Sequence, residues 1–157
     1  MAKKKVYLET SVISYLTARP SLDIVKLAKQ ELTRQWWEKN RTAYDFYVSK
    51  PVLSEIQRGD AEAARQRADF VTGLPLLEVS EATISLFNWF LSARILPPKA
   101  NLDAFHIAIA AANGVPYMAT WNCRHINNAV LKGKIRAEIV RAGYTEVTIA
   151  TPEELWR

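Results

Sequence analysis

Apolar positions recur along this chain with two different periods, and the switches between them mark its elements. Residues 5–8 form a short β-branched and aromatic run that reads as a buried strand. It stops at Glu9-Thr10-Ser11, after which residues 11–17 resume as an apolar helix that Thr10 or Ser11 is expected to cap. Over residues 21–39, Leu22, Val25, Ala28, Leu32 and Trp36 return at helical spacing, which predicts a long amphipathic helix. Residues 42–49 read as a second strand. Pro51 suits the first turn of a helix over residues 52–57, and Arg58-Gly59-Asp60 breaks it. Residues 60–71 predict a helix on alanine and arginine content, and residues 74–79 a third strand. A helix over 80–95 opens on Ser80 as cap and ends before Pro97-Pro98. A strongly apolar helix over 101–113 closes at Gly114, a fourth strand follows over 115–120, and a helix over 129–142 stops at Gly143. Residues 146–150 make a last strand, and Thr151 and Pro152 open a terminal helical turn.

Strands alternating with helices predict an α/β fold with a mainly parallel central sheet of four to five strands and helices on both faces. The 157 residues are read as one domain, 1–157, because that length suits a single hydrophobic core. No apolar run approaches the roughly 20 residues that span a bilayer, and "MAKKK" leads straight into a strand, so a cytoplasmic protein without membrane contact is expected. A single cysteine, Cys123, excludes an internal disulfide and speaks against a cysteine-ligated zinc site. The net charge of +5 biases the chain toward anionic partners.

Functional crevices of open α/β sheets lie outside the carboxyl ends of the strands. Two polar clusters fall at such ends: Glu9-Thr10-Ser11 after the first strand and Thr120-Trp121-Asn122 after the fourth. Two more acids sit in helices that ought to be packed. Glu55 lies among Val52, Leu53 and Ile56, and Asp103 enters the helix that is apolar on nearly every side. A carboxylate placed there is costly unless paired, hydrogen-bonded or metal-bound. Plainer readings exist for each residue taken singly. Thr10 or Ser11 can be a cap, Glu9 and Glu55 solvated acids, and Asp103 a partner of its helix dipole. Asn122 can be an N-cap, His106 a core histidine and Trp121 a core or rim tryptophan. His106 follows Asp103 by three residues and His125 stands in the same relation to Asn122, so each pair shares a helical face.

Taken together and in order, "YLETSVI", "PVLSEIQRGD", "NLDAFHIAIAAANGV" and "MATWNCRHI" resemble the PIN-domain nucleases, in particular the VapC-like toxins of type II toxin-antitoxin modules. The resemblance covers essentially the whole chain. It implies a PIN-like fold and metal-dependent cleavage of RNA, with Glu9, Glu55 and Asp103 holding Mg²⁺ or Mn²⁺ and Asn122 at a fourth, often acidic, position. Thr10, Ser11 and Thr120 would support that site, and His106, Trp121, Arg124 and His125 would support it or contact substrate. Arg58, Lys132, Lys134 and Arg136 are further candidates for phosphate contact. The implied partners are RNA, a small antitoxin and a second copy of the chain, for which Trp36 and Trp37 offer apolar area unless they belong to the core.

Glu9 departs from the aspartate usual at the first position, and Asn122 removes one negative charge from the fourth. A site so altered admits a second expectation, a PIN-like fold that binds RNA or a partner without turnover. A response-regulator-like or hydrolase domain would need two acids after the first strand, where only Glu9 stands.

Overall fold

The computed structural model describes residues 2–157. Its elements alternate as the hydrophobic pattern demands: β1 (Lys4–Leu8), α1 (Thr10–Thr17), α2 (Ile24–Asn40), β2 (Tyr44–Tyr47), α3 (Lys50–Ile56), α4 (Ala61–Val71), α5 (Glu81–Ala93), α6 (Asn101–Ala112), β3 (Tyr117–Ala119), α7 (Ala129–Arg141) and β4 (Thr148–Ala150). The strands form one all-parallel sheet in the order β2-β1-β3-β4. Chain order therefore reverses direction beside β1, with β2 on one side and β3 on the other. In open α/β sheets such a reversal is where a functional crevice is expected, here outside the carboxyl ends of β1 and β3.

Strand alternation distributes the side chains to two covered faces. Val6 is in register with Phe46 and Tyr117, so these residues share a face. On that side Trp36 of α2 meets Phe46 edge-on, with centroids 5.6 Å apart. Tyr7 points to the opposite face, where its hydroxyl reaches His106 of α6. Val6, Tyr7 and Leu8 are all fully buried, as expected for a strand covered on both sides.

Four details depart from the sequence pattern or close a choice it left open. Residues 74–79 do not form a strand. They contribute one parallel bridge, Leu76 to Val48, because Pro75 has no N–H to continue the ladder and the segment lies outside β2 at the sheet edge. Second, α1 is capped by Glu9, whose carboxylate accepts the Ser11 N–H at 3.1 Å; Thr10 is already its first residue. Third, α2 exists, but its first turns face the wrong way for the pattern. The helix starts at Ile24 rather than at residue 21, so Leu22 lies before it; Leu22, Ile24 and Val25 are exposed, while Gln30, Thr33, Trp36 and Asn40 are buried. The polar members of that buried stripe are held by the loops they touch. Gln30 accepts from Ser21 N and donates to the Arg19 carbonyl, and the Asn40 side chain accepts from Arg157 N. Fourth, Trp36 and Trp37 belong to the core: Trp36 is fully buried and donates to the Leu155 carbonyl, and Trp37 packs on Phe46 and Phe70. Among the described residues, no helix is long and apolar enough to cross a membrane.

The end of α5 gives a local test. Its C-cap, Arg94, adopts a left-handed backbone (φ 51°, ψ 50°) that favours glycine. Arg94 is exposed, and its carbonyl, not its side chain, receives the Lys134 ammonium at 3.0 Å. Arg94→Gly is expected to raise stability by about 0.5–1 kcal/mol, the left-handed penalty outweighing glycine's larger unfolded-state entropy. Urea denaturation checks this, and a lower midpoint would contradict it.

Candidate functional site at the carboxyl ends of the central strands

Each of the three acids singled out by the sequence organises a hydrogen-bonded group of its own. The first belongs to Glu9, where β1 ends. One carboxylate oxygen, Oε1, accepts the Ser11 N–H, the Ser11 hydroxyl and the Thr120 hydroxyl, the last at 2.7 Å. Because Thr120 directly follows β3, this bond crosses the point where strand order reverses. The Ser11 oxygen in turn accepts Trp121 N at 2.8 Å, so α1 is tied to the loop after β3. Glu9 is buried, and its neighbour Thr10 leaves its hydroxyl oxygen buried without a hydrogen-bond partner. Ser11 and Thr120 thus both donate to Glu9, whereas the Thr10 hydroxyl makes no hydrogen bond among the described residues.

The second group belongs to Asp103, in the first turn of α6. Its Oδ2 lies 3.1 Å from His125 Nδ1, and the backbone N–H of His125 donates to Asn122 Oδ1. Asn122 N donates to the Thr120 hydroxyl oxygen at 2.9 Å, which joins this group to the first. Asn122 is therefore a turn cap, the plainer of its two readings, with its amide oxygen already engaged.

The third group belongs to Glu55 on α3. Its Oε1 is hydrogen-bonded to His106 Nε2, and His106 Nδ1 lies 2.6 Å from the Tyr7 hydroxyl. Tyr7 continues to Ser49, 2.7 Å away, whose oxygen accepts Val52 N and so caps α3. Tyr7, Ser49 and His106 are all completely buried. Burial pushes the Tyr7 hydroxyl far above the ordinary tyrosine range; its bond to Ser49 opposes this, and the nearby charges of Glu9 and Glu55 add to it. Tyr7 is thus a protonated donor at neutral pH. His106 and Asp103, one helical turn apart, do not pair with each other; each serves a different partner.

No family model, curated protein or solved structure matches the chain. Its chemistry rests on the residues themselves.

Donor type and spacing bear differently on a divalent metal. In each of the three acids one oxygen is held by a protein donor. The other oxygen accepts no hydrogen bond among the described residues and keeps access to solvent. Three carboxylate oxygens of this kind suit a hard cation such as Mg²⁺ or Mn²⁺. Their spacing is looser: among the described residues, no three His, Cys, Asp or Glu side chains stand close enough to share one ion.

Around this crevice the sequence candidates divide. Arg124 is exposed and forms no ion pair among the described residues. Arg136 forms an exposed ion pair with Glu146 at 3.1 Å, and Lys134 donates to the Arg94 carbonyl at 3.0 Å. Trp121 is 8% exposed, stacks on Tyr15 and donates to Thr33, which leaves no open face for a base and makes it part of the core rim. Lys29, which the sequence did not single out, lies over the Trp121 ring with its ammonium 5.4 Å from the centroid. Tyr7 and Ser49 also escaped notice, because an aromatic in a strand and a serine before Lys-Pro both have ordinary explanations. The available signal was that "VYLE" alternates, putting Tyr7 on the face opposite Val6 and toward the apolar helix that carries His106.

Proposed function

We propose that this chain hydrolyses RNA phosphodiester bonds with a divalent metal ion, in the manner of the PIN-domain nucleases that its sequence resembles. One observation carries the reading: three carboxylates from separate segments, Glu9, Glu55 and Asp103, each have one oxygen anchored by a protein donor and one free of hydrogen bonds among the described residues, and Glu9 stands where strand order reverses. Anchoring through hydroxyl or imidazole donors orients an acid, as outer-shell partners orient metal ligands. Held in this way, the acids offer oxygens of the kind Mg²⁺ or Mn²⁺ takes, and sharing one ion would require them to draw closer than they stand here. Such an ion supplies Lewis acidity and a more acidic bound water. Arg124 and Lys29 would meet backbone phosphates, the positioning contacts usual for Lys and Arg. The finer reading is a toxin of a two-gene module, controlled by a small antitoxin, acting in the cytoplasm as a homodimer.

A second reading draws on the loose spacing of the acids and on Glu9's employment as a helix cap. In that reading the same crevice binds RNA or a protein without cutting.

Calorimetric titration of the metal-stripped protein with Mn²⁺, beside gel assays of mixed RNA with Mg²⁺ or Mn²⁺, separates the two. The nuclease reading expects saturable uptake with a dissociation constant on the order of 1 mM or tighter, and metal-dependent RNA fragments that chelator abolishes. Tight RNA binding with intact RNA across both metals would replace it with the binding module.

A further inference from the structure

The basic run Lys3-Lys4-Lys5 has no part in the site described so far. β1 opens within it and carries the chain away, so that Glu9 follows about 16 Å further on at ~3.3 Å per residue. Because the strands are all parallel, their amino ends share the pole opposite that site. There Lys4 donates at 3.2 Å to the hydroxyl of Tyr117, which opens β3. The Tyr117 ring lies 6.3 Å from that of Tyr44, which opens β2, and the Arg157 guanidinium lies 5.7 Å from the Tyr44 centroid. α2 ends at the same pole, where its Asn40 accepts from Arg157 N. It brings Lys39, whose ammonium lies 5.6 Å from the Trp156 ring, and Lys5 rests at the same distance from Tyr47.

Cations gathered in this way repel one another, and here no carboxylate answers them. Lys3, Lys4, Lys5, Lys39, Arg41 and Arg157 are all exposed, and among the described residues none of them forms an ion pair. Asp45, in register with Lys5, and Glu38, beside Lys39, are the acids of these segments, and neither pairs with a cation. Glu154 is engaged by the N–H and hydroxyl of Thr151. The excess of positive charge therefore faces outward, set among aromatic rings.

We propose that this pole binds the phosphate backbone of a single-stranded nucleic acid, with Trp156 available to stack on a base. Cations beside aromatic rings are what single-strand binders use, the charges meeting phosphates and the rings meeting bases. A lipid surface fits less well. Trp156 is exposed, but Tyr44 is buried and Tyr117 partly so, and the exposed apolar side chains Leu22, Ile24 and Val25 stand at the other end of α2. That end is roughly 25 Å away at ~1.5 Å per residue, so the pole has little apolar area to insert into a membrane. The proposal is independent of the nuclease reading, because it needs neither a metal nor the three acids.

Fluorescence anisotropy with labelled oligouridine and oligothymidine of about ten nucleotides, a length within single-strand site sizes, tests this in chelator, where no metal-dependent cleavage intrudes. Both are expected to bind comparably, with affinity that falls as salt rises, since both carry the same phosphates. A protein carrying Lys4→Gln, Lys39→Gln and Arg157→Gln loses up to three phosphate contacts at ~0.7 of log–log salt slope each. Its slope should fall by about 2 and its binding weaken roughly 10–100-fold near 0.1 M salt. Lys4→Arg, Lys39→Arg and Arg157→Lys together keep the charges and should bind within about threefold of the parent. Amide NMR shifts on adding oligothymidine should fall at residues 3–5, 39–44 and 155–157, away from Glu9 and Asp103.

No binding at low salt overturns the inference, as do shifts confined to the carboxyl-end pole, a glutamine variant that binds as the parent does, or a charge-keeping variant that does not bind. A preference above about tenfold for either oligonucleotide would mean that sugar or base, rather than phosphate, is read, and overturns it too. Phosphatidylserine vesicles that bind more tightly than both oligonucleotides would replace nucleic acid with a membrane surface. A protein that binds at this pole and never cuts RNA keeps the inference and loses the nuclease reading.

Discussion

Asp103→Asn is expected to abolish most RNA cleavage while leaving the fold intact. The acid occupies the first turn of α6, is partly open to solvent, and uses only one oxygen internally, accepting from His125. Asparagine keeps the shape and one oxygen acceptor. The structural loss is confined to a charge near a helix N-terminus, worth up to about 1 kcal/mol. A melting shift of no more than about 4 °C follows for a chain of this size. Removing a negative oxygen from the set that would hold the metal is a different matter. A loss on the order of 100-fold or more in kcat/KM is expected, equivalent to about 3 kcal/mol of transition-state stabilisation. RNA cleavage at fixed Mg²⁺, measured beside a thermal melt, checks both halves. Cleavage at the parent rate would remove Asp103 from the site, and with it the proposal that three acids act together.

Glu9 should behave differently, because it is both a structural cap and a proposed ligand. Glu9→Ala deletes the acceptor of three donors, including two hydroxyls within a buried cluster. Losing the cap costs about 1 kcal/mol, and each stranded hydroxyl about 1–3 kcal/mol. Relief from burying a carboxylate offsets part of this, and Ser11 and Thr120, 3.4 Å apart, can partly satisfy each other. A net loss of about 2 kcal/mol is expected, or roughly 4–8 °C in melting temperature for a chain of this size. Glu9→Gln keeps an oxygen for the three donors and places an amide nitrogen where the open oxygen was. It should hold most of the stability and lose metal uptake. Paired melts and Mn²⁺ titrations of the two variants thus separate structure from chemistry. Equal destabilisation by Ala and Gln would mean that the carboxylate charge, rather than its hydrogen bonds, holds the end of β1.

The contrast between these acids explains what was legible in the chain and what was not. Period 2 against period 3.6 is a local property, so the alternation of strands and helices, and with it a parallel α/β sheet, follows from the order of residues alone. Caps are equally local: Ser80 and Gly143 stand where the chain's punctuation puts them. The acids at the strand end and in apolar helices also stood out, because burying a charge demands a reason. The face of α2 did not. Ile24 and Val25 are exposed while Gln30 and Asn40 are buried, since partners from residues 19–21 and 157 satisfy those amides. Side-chain hydrogen bonds between distant segments leave no trace in hydrophobic periodicity.

The same physics limits the site. Sequence by itself determined which acids needed explaining and that Glu9 and Thr120 end strands, where parallel sheets open their crevices. Tertiary structure alone decided who holds whom. It paired His106 with Glu55 rather than with Asp103 one turn away, turned Asn122 into a cap, placed Trp121 against Tyr15, and put Tyr7 behind the imidazole. Helical spacing fixes only which residues share a face of one element. Which donor reaches which carboxylate depends on where β1, α3 and α6 meet, and that is set by the packing of the whole sheet.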